Sequence, residues 1–505
     1  MPSGRRQSRR LSYREDRVKI LFLHNGYESL GIEYLSASLK AAGFETALVI
    51  DPCLFDEAGF WRSKILARAF SFREQALRQA EKHRPDIAAF SVFTDTFPWA
   101  VSMAREIKKR TGAKIVFGGI HPSSAPEAVL AEDCVDFVCL GEGDSALPAL
   151  AKALEAGNPA LPAGILARRE GRIIKGPPPV PPADLDALPF PDKALFSGAA
   201  HLFSRGYLLS TSRGCPHACA YCCNSVYRAL YRGSGVPCLR RRSAGNVLLE
   251  LEAATRERSP GFLHFTDEVF NADYAWLENF LPLYKKKIGL PFSCYAFPDG
   301  RLAAFAARLA GAGCFKVQLG VQRFDEGKRA DLLNRRSSNA AIAGALAALK
   351  KAGVYSVADN ILGLPDETPD ELDALLRFYH DNTPDAAEVF FLKYYPGTPL
   401  FEKAEAEGLL TSGEAALIRA GLGRGGIIKG GGDAAERYLA PLLLFPLLPR
   451  SLRSFLLEKR RYLRFPRPGN IALRALARLL RRPRHDFHTE QFARRYLHFA
   501  LRKFI

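Results

Sequence analysis

From residue 19 to residue 157 short apolar runs alternate with stretches of helical spacing, and after a proline-rich interval the same alternation resumes from 206 to 394. A chain written this way folds around parallel sheets, because each helix returns the chain so that the next strand runs beside the last in the same direction. In the first series the strands are expected at 19–23, 45–50, 86–93, 114–118 and 135–140, with helices at 31–42, 96–111 and 145–156. Five strands with helices between them imply an α/β, doubly wound sheet of flavodoxin-like (Rossmann) type, whose ligands sit at the carboxyl ends of the strands. Residues 54–84 read as a helical excursion inserted into it.

Residues 176–191 are rich in proline, which fixes its own torsion and supplies no backbone donor, so they read as a stiff linker. Six strands are expected beyond it, at 206–210, 262–266, 292–296, 316–320, 357–362 and 388–394. Helices at 246–256, 274–287, 302–312, 339–352 and 369–380 separate them, which makes a partial (β/α)6 barrel with its chemistry at the carboxyl ends. The expected division is a basic disordered tail at 1–17, the Rossmann-type unit at 18–160, the linker at 161–205, the barrel at 206–403 and a basic helical region at 404–505.

The formal charge of +18 sits at the ends of the chain. Residues 1–19 carry a net +5 and residues 450–505 a net +13, which leaves residues 20–449 at zero. A neutral body argues against a groove that tracks phosphates, so no nucleic-acid partner is expected. No apolar run reaches the roughly 20 residues that a membrane-spanning helix needs. The basic start is not followed by an apolar run of signal-peptide length, and a cytoplasmic location is expected. In the carboxyl-terminal region apolar residues at 442–445, 456–457 and 479–480 alternate with Arg450, Arg453, Arg460, Arg461, Arg478, Arg481 and Arg482. Such amphipathic basic segments either lie on an anionic membrane surface as a peripheral contact or cap the barrel with the arginines solvated.

Ten cysteines in such a chain are read as metal ligands and buried thiols rather than disulfides. Three of them stand in Cys215-Pro216-His217-Ala218-Cys219-Ala220-Tyr221-Cys222, in the loop after the first barrel strand. Three thiolates there can hold an iron–sulfur cube and leave its fourth iron without a protein ligand. The other reading is zinc, which wants a closed set of four ligands, with Cys238 or His217 as the fourth. Cys223 is expected to point elsewhere, and Cys139, Cys294 and Cys314 behave as small hydrophobes in or beside apolar strands.

The cysteine spacing with its aromatic Tyr221, followed by a βα barrel, resembles the radical S-adenosylmethionine superfamily. The resemblance implies a 4Fe-4S cluster on Cys215, Cys219 and Cys222, S-adenosylmethionine on its open iron, and an electron donor such as flavodoxin or ferredoxin. It also implies roles for later motifs. Asp267 or Glu268, in Phe265-Thr266-Asp267-Glu268, would hold the methionyl amino group, although the family's Gly-Gly pair is absent. Gln318 and Gly320 would lie on the ribose and sulfonium side, and Arg335 or Arg336 would meet the methionyl carboxylate. Gly363 and Pro365, in Ile361-Leu362-Gly363-Leu364-Pro365, would face the adenine.

In the first unit, Phe117-Gly118-Gly119-Ile120-His121-Pro122 and Leu140-Gly141-Glu142-Gly143-Asp144 occupy strand carboxyl ends, where glycines let a large ligand approach the backbone. With Gly31-Ile32-Glu33-Tyr34-Leu35 they resemble the cobalamin-binding domain of cobalamin-dependent radical S-adenosylmethionine enzymes. Ser91, Gly118, Gly119, His121, Gly141, Glu142 and Gly143 are the residues this resemblance assigns to the corrinoid. The Asp-x-His-x-x-Gly signature whose His ligates cobalt elsewhere is absent, so a corrinoid here is expected to have no protein His below its cobalt, and His121 is read as a polar contact.

The function expected is methyl transfer to an unactivated carbon, or a phosphinate phosphorus, of a small molecule or lipid, with no catalytic side chain identified. The alternatives are a cobalamin-assisted cyclase or oxidoreductase and a non-enzymatic corrinoid or cluster sensor. A methylthiotransferase would need a second cluster in the first unit, where only Cys53, Cys134 and Cys139 are found.

Overall fold

A computed structural model of the chain describes residues 18–55, 63–196, 205–422, 432–464, 476–477, 480 and 487–504. The basic tail expected at 1–17 lies outside the described residues, as do Arg478, Leu479, Arg481 and Arg482.

The strands of the first sheet are β1 (Lys19–Asn25), β2 (Glu45–Asp51), β3 (Ile87–Ser91), β4 (Lys114–Gly118), β5 (Phe137–Cys139), β6 (Ile165–Arg169) and β7 (Arg172–Lys175). Their order is β2-β1-β3-β4-β5-β6-β7. The first five are parallel, and the change of direction at β1 and β3 creates the switch point at which such sheets bind ligands. Both faces are covered: Leu21, Leu23, Phe90 and Phe117 pack on one side, Phe22, Ala89, Val116 and Cys139 on the other. That is why these strands read as continuous apolar runs rather than alternating ones. The antiparallel pair β6 and β7 lies inside the stretch expected as linker and widens the sheet instead. The excursion holds two helices, Lys64–Ala69 and Arg73–His83.

The linker does not float. Lys193, buried, bonds Glu28 at 2.8 Å and Glu33 at 2.7 Å, both on or beside the first helix, Leu30–Ala41.

The second sheet is built from β8 (Gly206–Leu209), β11 (Phe262–Phe265), β12 (Phe292–Ala296), β13 (Cys314–Gln322), β14 (Tyr355–Leu362) and β15 (Ala386–Phe391), all parallel. The order β15-β14-β13-β12-β11-β8 leaves β15 and β8 unpaired with each other, so the barrel is open. The short antiparallel pair β9 (Ser212–Arg213) and β10 (Arg240–Arg241) stands at its mouth.

Helices Gly432–Leu444 and Arg450–Leu457 close one side of this barrel. Leu442, Leu443, Phe445 and Leu456 are buried in its core, and the hydroxyls of Tyr438 and Tyr462 both donate to Asp373. Of the apolar residues expected at 442–445 and 456–457 to meet either a membrane or the barrel, these four pack on the barrel, while Leu452 and Phe455 between them are exposed. The helix Phe487–Phe504 returns to the first unit, where Tyr496 Oη accepts from Phe55 N at 2.9 Å and Arg495 lies over Tyr27. Among the described residues no helix is long and apolar enough to cross a membrane.

Candidate functional site at the junction of the two sheets

The carboxyl ends of the two sheets face each other across a cavity of about 400 Å³. Ser91, Gly118, Gly119, Gly141 and Gly143 line it from the first unit, and Cys215, Asn224, Tyr227, Arg228 and Glu268 from the second.

The cysteine loop is held from several directions. Gly214, at φ +80°, turns where any Cβ would run into the carbonyl of Cys238. Arg228 donates to the carbonyls of Cys215 at 2.9 Å and His217 at 3.2 Å, and Asn334 donates to that of Ala218 at 2.9 Å. Cys219 is buried, with Arg335 Nη1 3.7 Å from its sulfur. Asn224 Nδ2 lies 3.7 Å from the sulfur of Cys222. Burial pushes the Cys215 thiol up to about 12. Contrary to expectation, Cys223 does not point elsewhere: its thiol donates to Cys222 and pulls that thiol down to about 7. The helix Asn224–Leu230 begins directly after Cys223, and this turn brings the adjacent thiols together.

His217 stacks flat on Phe297 at 3.8 Å, and Cys238 lines the cavity. Among the described residues no three His, Cys, Asp or Glu side chains converge where one metal ion could sit, as zinc would require. Three soft thiolates taking one corner each of a cube need no such convergence, and that donor set fits an iron–sulfur cluster. In the first unit Cys134 packs on one face of the sheet and Cys139 on the other, so they do not share a site with Cys53.

The structure separates the paired candidates. Asp267 is 1% exposed, and its carboxylate accepts from Thr211 N at 3.0 Å, Thr211 Oγ1 at 2.7 Å and Ser212 Oγ. It ties β11 to the segment that leads into the cysteines. Glu268 faces the cavity instead and is exposed there; the cavity walls around its carboxyl push it up and a hydrogen bond from Asn224 partly offsets them. Arg335 is buried, bonds the Gly320 carbonyl at 2.6 Å and stacks on Phe297 at 4.4 Å, whereas Arg336 is exposed. A Cβ on Gly320 would collide with Gln322 and Arg335. Gln318 donates to both carboxylate oxygens of Asp359, at 2.9 and 3.0 Å. Gly363, at φ +76°, donates its N–H to Glu367 at 2.8 Å, and the Pro365 carbonyl accepts from Arg323. Tyr221 hydrogen-bonds Cys219 and packs with Leu333 and Leu364.

On the corrinoid side the glycines are explained first by the protein itself. A Cβ on Gly119 would press on the Val92 backbone at 2.9 Å, one on Gly141 would occupy the Tyr231 hydroxyl, and one on Gly143 would meet Leu35 at 2.9 Å. Gly118 has ordinary room beside Cys139. Gly118, Gly119, Gly141 and Gly143 nevertheless line the cavity, and theirs is the backbone that a corrinoid would meet. Glu142 lines the cavity, but its carboxylate is taken by Arg213 and Arg240. His121 does not reach the cavity. It is wholly buried, packs against Phe97 at 4.5 Å and holds Thr94 through Nδ1 at 3.1 Å, because the short helix Ile120–Ser124 turns it inward. Sequence reasoning missed Arg213, Arg228, Tyr231 and Arg240. Only Arg213 carried a local signal, its position two residues before Cys215.

Two family models match separate parts of the chain. Residues 23–151 match the B12 binding domain and residues 209–379 the radical SAM superfamily. An uncharacterized methyltransferase of Pyrococcus horikoshii is 27% identical over 360 residues, 68% of this chain and 74% of that protein. The anaerobic magnesium-protoporphyrin IX monomethyl ester cyclase of Rubrivivax gelatinosus is 23% identical over 415 residues, 76% of this chain and 70% of that one. The fold is shared with the radical S-adenosylmethionine methyltransferase TsrM of Kitasatospora setae, solved with cobalamin and a [4Fe-4S] cluster, at a TM-score of 0.62 and 18% identity over 78% of this chain and 79% of that one. It is also shared with the cobalamin-dependent radical enzyme OxsB, at a TM-score of 0.66 and 15% identity over 96% and 80% of the two chains. The two family matches bring a 4Fe-4S cluster, S-adenosylmethionine and cobalamin; Cys215 and the glycines of the first unit line one cavity, as a shared site for them needs.

Proposed function

This chain belongs to the radical S-adenosylmethionine enzymes that carry a B12 binding domain, and from that premise we propose that it transfers a methyl group to an unactivated carbon, or a phosphinate phosphorus, of a small molecule or lipid. The observation that carries the reading is the single cavity wall-to-wall between the cysteine loop and the glycine loops, so that both cofactors would serve one space. When bound, the cluster supplies the electron that breaks the sulfonium bond of S-adenosylmethionine, and the corrinoid supplies a methyl carrier.

The chain's own residues do the holding. Cys215, Cys219 and Cys222 would bind the cluster, with Arg228 and Asn334 fixing the loop through its carbonyls. Arg335, buried against Cys219 and Gly320, would take the methionyl carboxylate, and Glu268 the amino group. Gly118, Gly119, Gly141 and Gly143, with Ser91, would seat the corrinoid face. Among the described residues lining the cavity none is a histidine. Tyr34, Tyr227 and Tyr231 line the cavity and would shield the radical chemistry from water. Reducing equivalents would come from a flavodoxin or ferredoxin.

The likeness to the cyclase supports a second reading, ring formation or oxidation without methyl transfer. Turnover with methyl-labelled S-adenosylmethionine separates the two. Methyl transfer places the label in the product and yields both 5′-deoxyadenosine and S-adenosylhomocysteine; consumption with no label in the product removes it.

A further inference from the structure

The cavity has two walls, and one side chain joins them. Arg213 ends β9, two residues before Cys215, and its guanidinium crosses to the loop between β5 and the helix Gly143–Glu155. It donates to Asp144 with both Nη atoms, at 2.7 and 3.0 Å, and through Nη1 to Glu142 at 2.8 Å. These two carboxylates flank Gly143, and the fork fits the pair as an ammonium could not. The Asp144 side chain is only 4% exposed, and Arg213 is the cation paired with it. The Arg213 guanidinium also lies over the ring of Tyr34, 4.8 Å from its centroid, which fixes its plane.

The same loop is gripped twice more from the barrel side. Arg240, paired with Arg213 across β9 and β10, reaches Glu142 and the Pro182 carbonyl of the linker. Tyr231 accepts the Glu142 N–H at 2.6 Å. Apart from the bond to Pro182 and the stacking on Tyr34, these contacts bear on Glu142 and Asp144 in the corrinoid wall, and of the residues that make them Arg213 stands nearest in sequence to the cluster cysteines.

We propose that Arg213 is a positioning residue which holds the corrinoid wall in register with the cluster loop, so that filling the cluster site strengthens corrinoid binding. The physical reason is shared ordering. A cluster would add three bonds to the loop that Arg213 enters, beyond the hydrogen bonds from Arg228 and Asn334; Arg213 carries that added restraint to Glu142 and Asp144, and the corrinoid then meets a more firmly held wall. Linkage makes the effect mutual. The inference rests on cofactor binding alone and stands or falls apart from methyl transfer.

The test measures hydroxocobalamin affinity of the full-length protein with and without the reconstituted cluster. The wild type is expected to bind more tightly with the cluster, by about fivefold or more. In Arg213→Gln the two affinities should agree within about twofold, and Arg213→Lys, which keeps the charge but loses the fork, should fall between. Because Arg213→Gln strands the Asp144 charge, the double variant R213Q/D144N is measured beside it, and it too should lose the difference. A cluster-independent affinity in the wild type overturns the proposal, as does a difference that survives in the double variant.

Discussion

The hydroxyl of Tyr231 occupies the place where a Cβ on Gly141 would stand, with ring atoms 2.9 and 3.0 Å away. A glycine that its motif assigns to a cofactor is thus demanded by a tyrosine 90 positions along, from the other unit. Gly141→Ala should weaken hydroxocobalamin binding and lower the thermal midpoint, through this collision and the left-handed φ of +69°, worth roughly 1–2 kcal/mol by itself. Combining it with Tyr231→Ala should recover part of the binding. No recovery would mean that Gly141 serves the ligand directly.

Replacing Cys215, Cys219 and Cys222 together by Ala should abolish the brown chromophore of anaerobically reconstituted protein and all 5′-deoxyadenosine formation. Cys223→Ala should retain both, since its thiol only donates to Cys222. Cofactor cleavage by the triple variant would contradict the cluster assignment.

The two adjacent acids should behave differently. Asp267→Asn removes a buried charge that accepts three hydrogen bonds, so it should lower the thermal midpoint, at a cost of about 2 kcal/mol. Glu268→Gln should leave the midpoint in place and weaken S-adenosylmethionine binding about tenfold, or ~1.4 kcal/mol. Calorimetry on each variant reads both quantities, and equal effects on stability would undo the division of roles.

Burial holds the Asp359 carboxyl up at about 7, against the hydrogen bonds from Gln318. Such a group binds its proton more tightly folded than unfolded, so its contribution to stability is full below pH ~4 and is lost as pH rises through 7. Asp359→Asn stays neutral throughout. Its thermal midpoint relative to wild type should therefore rise between pH 5 and 7.5; a constant difference would show that Asp359 is ionised across that range. Glu367, also raised to about 7 by burial, adds a slope of the same sign to both proteins.

Helices Gly432–Leu444 and Arg450–Leu457 bury apolar residues against the barrel, so truncation before Arg450 removes Leu456 and Tyr462 from its core. The truncated chain should melt at lower temperature or aggregate, at about 1.5–3 kcal/mol for each large side chain lost. Differential scanning fluorimetry checks it, and an unchanged midpoint would show that this cap contributes little.

What the sequence by itself determined was everything that rests on local repetition and spacing. Apolar runs at strand length separated by helix-length segments required a parallel run of strands in each of two sheets, since strand and helix periods are properties of the backbone. The intervals between Cys215, Cys219 and Cys222 likewise confine three thiolates to one loop wherever that loop goes. Choices between neighbours were not legible. Asp267 and Glu268 differ by which side of β11's end they leave, and only contact with Thr211 and Ser212 assigns the first to the scaffold. His121 reads as a polar contact to a corrinoid from its motif, yet the turn after Gly119 drives it into the core. Arg213 and Asp144 stand 69 residues apart, and no local pattern marks them as partners. Their meeting, like that of Tyr231 with Gly141, depends on how one folded unit docks on another, because burial and charge pairing act through space while spacing acts along the chain.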